Sequence, residues 1–326
     1  MRAPNFWQHR GPWAQMLRPL GAMTAMLTAR RVARAGLRLD IPVICVGNIN
    51  AGGTGKTPTV IALVEALTAR GIAVLIVSRG YGGRLVGPVL VDPALHSAAD
   101  VGDEPLLLSA FAPVIVAKDR AAGGRLAQDS GAQVIVLDDG LQNPSLEKDL
   151  SIVVVDASAG FGNGLCLPAG PLREPIDAGL TRADMVLSIG DAPAQVDFSA
   201  RWASQIAPRP HITGALEPLP MGVDWHSARV IAFAGIGRPE KFFATLRGLG
   251  AILIRAEALG DHAALPDPLL TRLLAEARLA GADLVTTEKD AVRLPKRFRA
   301  EVLTLPVRLR LTNSAPLDAA LDSLLL

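Results

Sequence analysis

The sequence predicts an α/β fold with a mostly parallel sheet, helices on both faces of that sheet, and a smaller second α/β domain. From residue 41 onward, short β-branched runs alternate with helical segments, and most of these runs are apolar throughout. Continuous apolar runs between helices are typical of parallel strands, which are buried on both faces. The chain has 326 residues, 50% of them hydrophobic and 20% charged, which indicates a globular protein of about two domains.

Residues 1–38 predict an N-terminal amphipathic segment. Its apolar and aromatic residues extend from Phe6 to Leu27 and are followed by a basic cluster of Arg30, Arg31, Arg34 and Arg38. No apolar run approaches the ~18–20 residues needed to span a bilayer, and a basic cluster stands where a secretory signal would have its cleavage site. The pattern favours a helix lying in a membrane interface. A helix packed on its own domain, with solvated arginines, is the alternative.

Residues 39–207 are predicted to form the first domain. A strand over 41–46 leads through a glycine-rich loop to an amphipathic helix over 58–70, which ends at Gly71. The remaining runs predict strands over 72–77, 89–91, 114–117, 134–137, 152–155 and 185–189. Ligands of such sheets bind beyond the carboxyl ends of the strands, so the residues that follow each strand are candidates for function.

A change of composition predicts a linker over 208–228, where four prolines lie close to two glycines. The smaller domain is expected over 229–305, with strands over 230–234, 252–255 and 284–287 and helices over 239–249 and 268–280. In the last segment, 306–326, a strand over 307–311 and a helix over 316–325 are expected to return to the first domain.

The composition also excludes several functions. A net charge of +2 creates no field strong enough to indicate nucleic-acid binding. With 4% aromatic residues, a base-stacking platform is not expected either. Cys45 and Cys166 form neither a disulfide framework nor a metal motif, which fits a reducing compartment.

The glycine-rich loop after the first strand is the clearest functional motif. Loop N–H groups and the helix N-terminus would point at phosphate oxygens, while Lys56 reaches the β/γ-phosphates and Thr57 holds Mg²⁺. Asn50 stands where the strict pattern has glycine, and asparagine tolerates left-handed backbone better than most residues. The motif predicts a P-loop NTPase-like site; an ordinary glycine turn is the alternative. Its candidate nucleotide-binding residues are Asn50, Gly52, Gly53, Thr54, Gly55, Lys56 and Thr57.

Two further segments supply candidate metal and phosphate ligands. The apolar run 134–137 ends in Asp138 and Asp139, an arrangement that places a carboxylate near Mg²⁺ beside a phosphate loop. One of the two aspartates is expected only to cap a turn. The long loop 162–175 carries Arg173 and Glu174, a possible phosphate clamp and a second-shell metal carboxylate.

Asp103 and His262 are weaker candidates on their own. Asp103 precedes an apolar helical run, so capping alone would account for it. His262 follows Asp261 in a short loop, and a single Asp-His pair is usually structural. The segment 286–290 opens a helix and is either a nucleotide contact or a capped helix start.

Taken together, these segments resemble the tetraacyldisaccharide 4′-kinases of lipid A biosynthesis, in order and over nearly the whole chain. The resemblance implies a membrane-associated enzyme on the cytoplasmic face of the bacterial inner membrane. It implies that the enzyme uses ATP and Mg²⁺ to phosphorylate the 4′-hydroxyl of tetraacyldisaccharide 1-phosphate, an acylated glucosamine disaccharide lipid, forming lipid IVA. The resembling segments are 46–58, 78–83, 101–105, 118–120, 138–142, 167–175, 233–239, 261–262 and 286–294.

The resemblance also assigns roles to residues. It implies that Asp103 is the catalytic acidic residue and that His262 works with it as a dyad. The remaining residues take roles at the phosphates: Lys56 and Thr57 at the phosphate and Mg²⁺, Asp138, Asp139 and Glu174 near the metal, and Arg120 and Arg173 at the transferring phosphoryl group. Two positions depart from the family pattern: Asn143 and Ala263 stand where the family often has histidine.

Three other functions remain open from the residues alone. A P-loop GTPase or nucleotide-dependent switch generally has Asn/Thr-Lys-x-Asp after a strand, and the sequence lacks that tetrapeptide. A non-catalytic nucleotide-binding scaffold predicts that Asp103 is dispensable for phosphotransfer. A dinucleotide-dependent enzyme would use Gly235 and Gly237, but Glu240 occupies the third glycine position of that motif.

Overall fold

The computed structural model describes residues 4–325. Residues 1–3 and Leu326, the outer ends of the predicted segments 1–38 and 306–326, lie outside the described residues. Within this range, thirteen strands form two sheets. The strands are β1 (Val43–Gly47), β2 (Val74–Ser78), β3 (Val89–Leu90), β4 (Val114–Val116), β5 (Val134–Asp138), β6 (Leu150–Asp156), β7 (Met185–Ile189), β8 (His211–Pro218), β9 (Arg229–Ala234), β10 (Ile252–Ala258), β11 (Asp283–Thr287), β12 (Val302–Leu305) and β13 (Val307–Leu311).

Eleven α-helices lie in the same described range. They are α1 (Pro12–Val32), α2 (Lys56–Ala69), α3 (Ala98–Val101), α4 (Asp103–Leu108), α5 (Arg120–Asp129), α6 (Ile176–Leu180), α7 (Ala192–Ile206), α8 (Pro239–Gly248), α9 (Asp267–Leu279), α10 (Glu288–Ala291) and α11 (Ala315–Leu325). The sequence predicted α2, α8, α9 and α11 to within two residues, whereas α5 and α7 were not predicted.

The larger sheet has the strand order β13-β8-β7-β6-β1-β5-β2-β4-β3. Every pairing from β8 to β4 is parallel, and only the edge strands β13 and β3 pair antiparallel. All residues of β1 are buried, because alternate side chains enter two different cores. Ile44 packs on the face covered by α2 and α11, and Cys45 on the face covered by α5 and α7. The predicted α/β fold, with helices on both faces, is confirmed.

The smaller sheet is wholly parallel, in the order β10-β9-β11-β12. Helix α9 covers one face and α8 the other, again with alternate residues of β9 on each side: Ile231 and Phe233 with α9, Val230 and Ala232 with α8. The predicted second α/β unit is therefore present. The division of the chain into domains at the stated residues stays a prediction.

The predicted linker over 208–228 is wrong for its middle part. Residues 211–218 form β8, which pairs parallel with β7 and antiparallel with β13. The prolines are compatible with a strand because Pro210 precedes it and Pro218 is its last residue. A missing N–H at these positions does not interrupt the hydrogen bonds of the sheet. Of the predicted linker, only the residues after β8 lead from the larger sheet to the smaller one.

The C-terminal segment lies on the larger sheet. Strand β13 pairs with β8, and α11 buries Leu317 and Leu321 in the core shared with α2. At the surface, Arg70 at the end of α2 pairs with Asp318 and Asp322. The last residues therefore close the core that packs behind the glycine-rich loop.

We expect Leu321→Ala to lower the free energy of unfolding by about 2–5 kcal/mol, because it leaves a cavity in a core that cannot fully collapse. Leu321 is 0% exposed, whereas Leu279 on α9 is 90% exposed. Leu279→Ala is the matched control and should change the same free energy by less than about 0.5 kcal/mol. Urea unfolding followed by circular dichroism checks both, and equal losses would show that α11 is not part of the core.

Helix α1 has one packed face and one exposed apolar face. Its buried residues Ala14, Gly21 and Thr28 are seven apart, and Thr28 Oγ1 donates to the Arg173 carbonyl at 3.1 Å. Gly21 lets the helix approach closely, because a Cβ there would lie 2.8 Å from the Cys166 carbonyl oxygen. Six large apolar side chains of α1 are exposed: Trp13, Met16, Leu20, Met23, Met26 and Leu27. In the described part of the chain, every helix is too short or too polar to cross a bilayer.

Candidate active site

The glycine-rich loop joins the end of β1 to the start of α2. Gly52 (φ +112°) and Gly55 (φ +98°) have left-handed backbone, which glycine adopts at little cost. Asn50 does not, so the expectation that asparagine replaces glycine through its left-handed tolerance is wrong. Instead, Asn50 is buried and its Nδ2 donates to the Gly160 carbonyl at 3.0 Å, which anchors the loop to a neighbouring one.

The rest of the loop is preformed and open at its tip. Asn48 Nδ2 donates to Thr54 Oγ1 at 3.1 Å, so the buried Thr54 side chain holds the loop from inside. Gly52 and Gly53 are exposed, and a Cβ on either would meet no atom within 4 Å. The N-terminus of α2 has no side-chain cap. Its first-turn N–H groups are thus available to an anion, as at other helix N-termini that bind phosphate.

Charged side chains lie beside this loop. Lys56, the first residue of α2, has its Nζ 3.7 Å from Asp139 Oδ1. Arg173 Nη1 donates to the two carboxylate oxygens of Asp139 at 3.1 and 3.2 Å. Burial raises the pKa of Asp139, but the charges of Lys56 and Arg173 outweigh it and lower that pKa below its usual value. Asp139 is therefore ionised and holds both cations next to the loop.

Asp138, at the end of β5, is the best candidate metal ligand. Its Oδ2 accepts a hydrogen bond from Ser78 Oγ at 2.9 Å, while its buried Oδ1 has no partner among residues 4–325. Burial, together with the nearby Glu104 and Asp139 charges, raises the pKa of Asp138 to about 6. A buried carboxylate oxygen without a partner is costly, and a bound cation removes that cost. Asp138 thus fits Mg²⁺, which takes one or two carboxylates along with phosphate oxygens.

Thr57, the other predicted magnesium residue, lies half-buried in the first turn of α2, directly after Lys56. Residues 4–325 contain no group of three or more His, Cys, Asp or Glu side chains that could hold a metal ion by themselves.

The structure places Glu174 in an ion pair. Both of its carboxylate oxygens lie 2.7 Å from Arg182 Nη2, and Oε1 also accepts from Gln142 Nε2 at 2.8 Å. The expected place of Glu174 near the metal, as a second-shell carboxylate, stays a prediction; in this arrangement its two oxygens are held by Arg182 and Gln142. Gln142 Oε1 in turn accepts from Arg173 Nη1 at 3.3 Å, so Glu174 helps to position the arginine.

Arg120 also differs from expectation. Its guanidinium is buried and donates to the main-chain carbonyls of Val77, at 3.1 Å, and Asp138, at 2.8 Å. These carbonyls lie near the carboxyl ends of β2 and β5, where the sheet ladder ends and the carbonyls need donors. The structure thus gives Arg120 the task of holding two strand ends together, instead of the predicted contact with a phosphoryl group.

Asp103 and His262 form a hydrogen-bonded pair across 159 residues of sequence, with Asp103 Oδ2 and His262 Nδ1 2.9 Å apart. Asp103 is buried at the start of α4, after the cap residue Gly102. Its Oδ1 accepts from the Glu104 N–H at 3.0 Å, and this local bond leaves Oδ2 to His262. Burial raises the pKa of Asp103, yet the His262 hydrogen bond and the Lys289 charge outweigh it and lower that pKa. Asp103 is thus a charged carboxylate in a dry site.

His262 is held in an unusual conformation. Its φ of +56° lies in the left-handed region, which is costly for any residue other than glycine. Residues with such strained backbone are concentrated at functional sites. The main-chain N–H of His262 donates to the Gly235 carbonyl at 3.1 Å. Its ring packs edge-to-face with the Tyr81 ring, with the ring centroids 5.5 Å apart. The hydrogen bond to Asp103 raises the pKa of His262, against burial and the Lys289 charge.

The pair lies in the same cleft as the phosphate loop. A Cβ built on Gly237 would be 3.8 Å from the Gly53 amide nitrogen and 3.7 Å from Asp261 Oδ2, so the loop after β9 borders both the phosphate loop and the residue before His262. Several ion pairs join the parts of the chain that carry the two sheets. Asp156, at the end of β6, lies 2.7 Å from both Arg238 and Lys241, and Lys289 Nζ lies 3.0 Å from Glu104 Oε1.

Some of these groups escaped prediction. The sequence shows Asp156 as an acid at the end of an apolar run, but its partners Arg238 and Lys241 lie more than 80 residues later, so spacing does not predict the contact. Within 286–290, the capped helix start is present, with Thr287 Oγ1 accepting from the Asp290 N–H at 3.2 Å. The Gly235 N–H donates to Asp290 Oδ2 at 3.0 Å, so this turn binds a carboxylate of its own chain.

The two departures from the family pattern have local roles. Asn143 Oδ1 accepts from the Ser145 N–H at 2.9 Å and so stabilises a turn. The Ala263 carbonyl accepts from Arg293 Nη1 at 2.7 Å, which fixes the backbone next to His262.

Comparison with known proteins covers nearly the whole chain. The family model described as tetraacyldisaccharide-1-P 4′-kinase matches residues 13–326. A tetraacyldisaccharide 4′-kinase of Dinoroseobacter shibae is 61% identical over 99% of this chain and 98% of its own. One of Jannaschia sp. is 57% identical over 100% of this chain and 99% of its own. The crystal structure of LpxK from Aquifex aeolicus in complex with ATP gives a TM-score of 0.75 at 25% identity, over 96% of this chain and 99% of that one.

Proposed function

This chain belongs to the tetraacyldisaccharide-1-P 4′-kinase family, and we propose which of its residues carry out the reaction and how it reaches its lipid. It is a lipid kinase that uses ATP and Mg²⁺ to phosphorylate the 4′-hydroxyl of tetraacyldisaccharide 1-phosphate, which gives lipid IVA in lipid A biosynthesis. The alternative of a GTPase or a switch protein is not favoured.

The observation that carries the proposal is the Asp103–His262 pair at 2.9 Å, in a cleft that also contains the open phosphate loop. In our proposal, Asp103 accepts the proton of the sugar hydroxyl as that oxygen attacks phosphorus. A positioned carboxylate of this kind is the usual base for an alcohol nucleophile in phosphoryl transfer. His262 donates its Nδ1 hydrogen to Asp103 and so orients the carboxylate.

The other side of the cleft would hold the nucleotide. The N–H groups of residues 52–57 and the ammonium of Lys56 are proposed to hold the phosphates. Asp138 and Thr57 would hold Mg²⁺, which neutralises phosphate charge when it is bound. Arg173, held by Asp139 and Gln142, is proposed to stabilise charge on the transferring group.

The test is transfer of labelled γ-phosphate from ATP to purified tetraacyldisaccharide 1-phosphate in mixed micelles. We expect a labelled product whose mass is one phosphate larger. A substrate that already carries a 4′-phosphate is the control and should accept no label. Absence of transfer by folded protein that binds ATP would overturn the function.

We also propose that α1 docks the enzyme on the cytoplasmic face of the bacterial inner membrane. Its exposed apolar face, opposite the residues packed on loop 161–173, suits insertion into the headgroup region. The arginines at its C-terminal end, Arg30, Arg31 and Arg34, suit the anionic lipids of that surface. The acyl chains of the substrate then stay in the bilayer while the sugar enters the cleft.

We expect the double variant Leu20→Glu, Met23→Glu to reduce binding to anionic phospholipid vesicles by at least about 10-fold, because it removes two apolar contacts with lipid and adds negative charge. Both side chains are exposed and far from the packed face of α1, so folding is not at risk. Vesicle flotation measures the effect, with Leu279→Glu on α9 as the control. Equal flotation of all three proteins would refute docking through α1.

A further inference from the structure

Lys289 lies directly against the outer nitrogen of His262. Its Nζ is 3.3 Å from His262 Nε2 and 3.0 Å from Glu104 Oε1. Glu104 follows Asp103 on α4, whereas Lys289 belongs to α10. Lys289 therefore bridges Glu104 and His262, and His262 in turn contacts Asp103, the neighbour of Glu104 on α4.

The chemistry of the lysine restricts the protonation of the histidine. An ammonium group only donates hydrogen bonds, so its contact with Nε2 is favourable only when Nε2 carries a lone pair. The proton of the neutral ring is then on Nδ1, which faces Asp103 Oδ2. Burial lowers the pKa of Lys289, but the Glu104 and Asp103 charges outweigh it and raise that pKa, so the lysine stays charged.

We propose that Lys289 is a positioning residue for the reaction: held by Glu104, it donates to Nε2 of His262 and so keeps the ring neutral, with its proton on Nδ1 and directed at Asp103. This inference rests on the proposed role of Asp103 as the base. Both ring nitrogens are then engaged, so His262 does not itself contact the sugar hydroxyl. Asp103 is the member of the pair that does.

The charges around His262 give the proposal a measurable consequence. Asp103, from α4, and Asp261, whose Oδ1 lies 3.7 Å from Nε2, both favour the protonated ring. Lys289 opposes protonation, while Tyr81 meets the ring edge-on. Arg293 Nε lies 3.8 Å from Asp103 Oδ2, the oxygen that also faces His262. Removal of the lysine charge leaves burial as the main effect that still opposes the two carboxylates, so protonation of His262 becomes easier.

The experiment compares the full-length wild type with Lys289→Met by nitrogen-15 NMR of labelled histidine. The His262 signals are identified by their loss in His262→Gln. In the wild type we expect the tautomer with hydrogen on Nδ1 at about pH 8. In Lys289→Met we expect the pKa of His262 to rise by about one unit. The acid limb of kcat should move up by the same amount, so the loss of kcat is larger at about pH 6.5 than at about pH 8.5, with KM for ATP little changed.

Two variants separate this role from simple packing. Lys289→Arg keeps the charge, so His262 should keep its wild-type tautomer and the acid limb of kcat should stay close to its wild-type pH. Lys296→Met, the same change at an exposed lysine, should leave both readouts unchanged. A wild-type ring protonated on both nitrogens at the pH of full activity would overturn the proposal, as would an unchanged titration in Lys289→Met. The NMR measurement needs no turnover, so it remains decisive even if the phosphotransfer assay fails.

Discussion

Replacement of Asp103 by asparagine is expected to lower kcat by about 10³-fold while KM for ATP changes little. Asparagine preserves the shape of the side chain and can still meet His262, but it cannot accept the hydroxyl proton. The wild-type carboxylate is well suited to that task, because it is buried and yet ionised. Steady-state kinetics with saturating lipid, in parallel with ATP binding by calorimetry, measure the two quantities separately.

A matched control is available in α6. Asp177 also lies in the first turn of a short helix, but it is exposed. Asp177→Asn should keep kcat within about 2-fold of the wild type, as expected for a surface change away from the site. If Asp103→Asn loses less than about 10-fold in kcat, Asp103 is not the base. The non-catalytic scaffold considered from the sequence predicts that smaller loss.

The fold could be predicted from the sequence where the physical signal is local. The runs that form β1, β5 and β7 are almost wholly apolar because both of their faces are covered, and their ends were placed to within two residues. The signal failed for β8, a strand near the edge of the sheet whose burial alternates and whose ends carry prolines. A strand of that kind has the composition of a linker, so only its pairing with β7 and β13 reveals it.

The candidate site divides in a similar way. The phosphate loop and the Asp138–Asp139 pair were predictable, because each motif is continuous in sequence and follows a buried strand. The Asp103–His262 pair was not predictable from spacing, since its members come from different parts of the chain, and only the family resemblance singled it out. Arg120 shows the limit of a residue assignment made without partners, because two main-chain carbonyls already bind its guanidinium. Glu174 stays a prediction as a second-shell carboxylate, with Arg182 as its ion-pair partner.

The second large effect is expected at Lys56. We expect Lys56→Met to lower kcat/KM for ATP by about 10²–10³-fold, because it removes a fixed positive charge from the place where the phosphates are proposed to bind. Lys56 is held only loosely now, with Nζ 3.7 Å from Asp139 Oδ1, so it is free to turn to a phosphate. Arg173 still neutralises Asp139 in the variant, which limits any effect on folding.

Initial rates at varied ATP concentration measure the loss at Lys56, and circular dichroism checks the fold. Lys56→Arg should recover only part of the activity, because a planar guanidinium does not replace a compact ammonium in a tight loop. The exposed Lys296→Met carries the same change of side chain and should keep kcat/KM within about 2-fold. If Lys56→Met matches Lys296→Met, the phosphates bind elsewhere, and Asp103 cannot act on a phosphoryl group held by this loop.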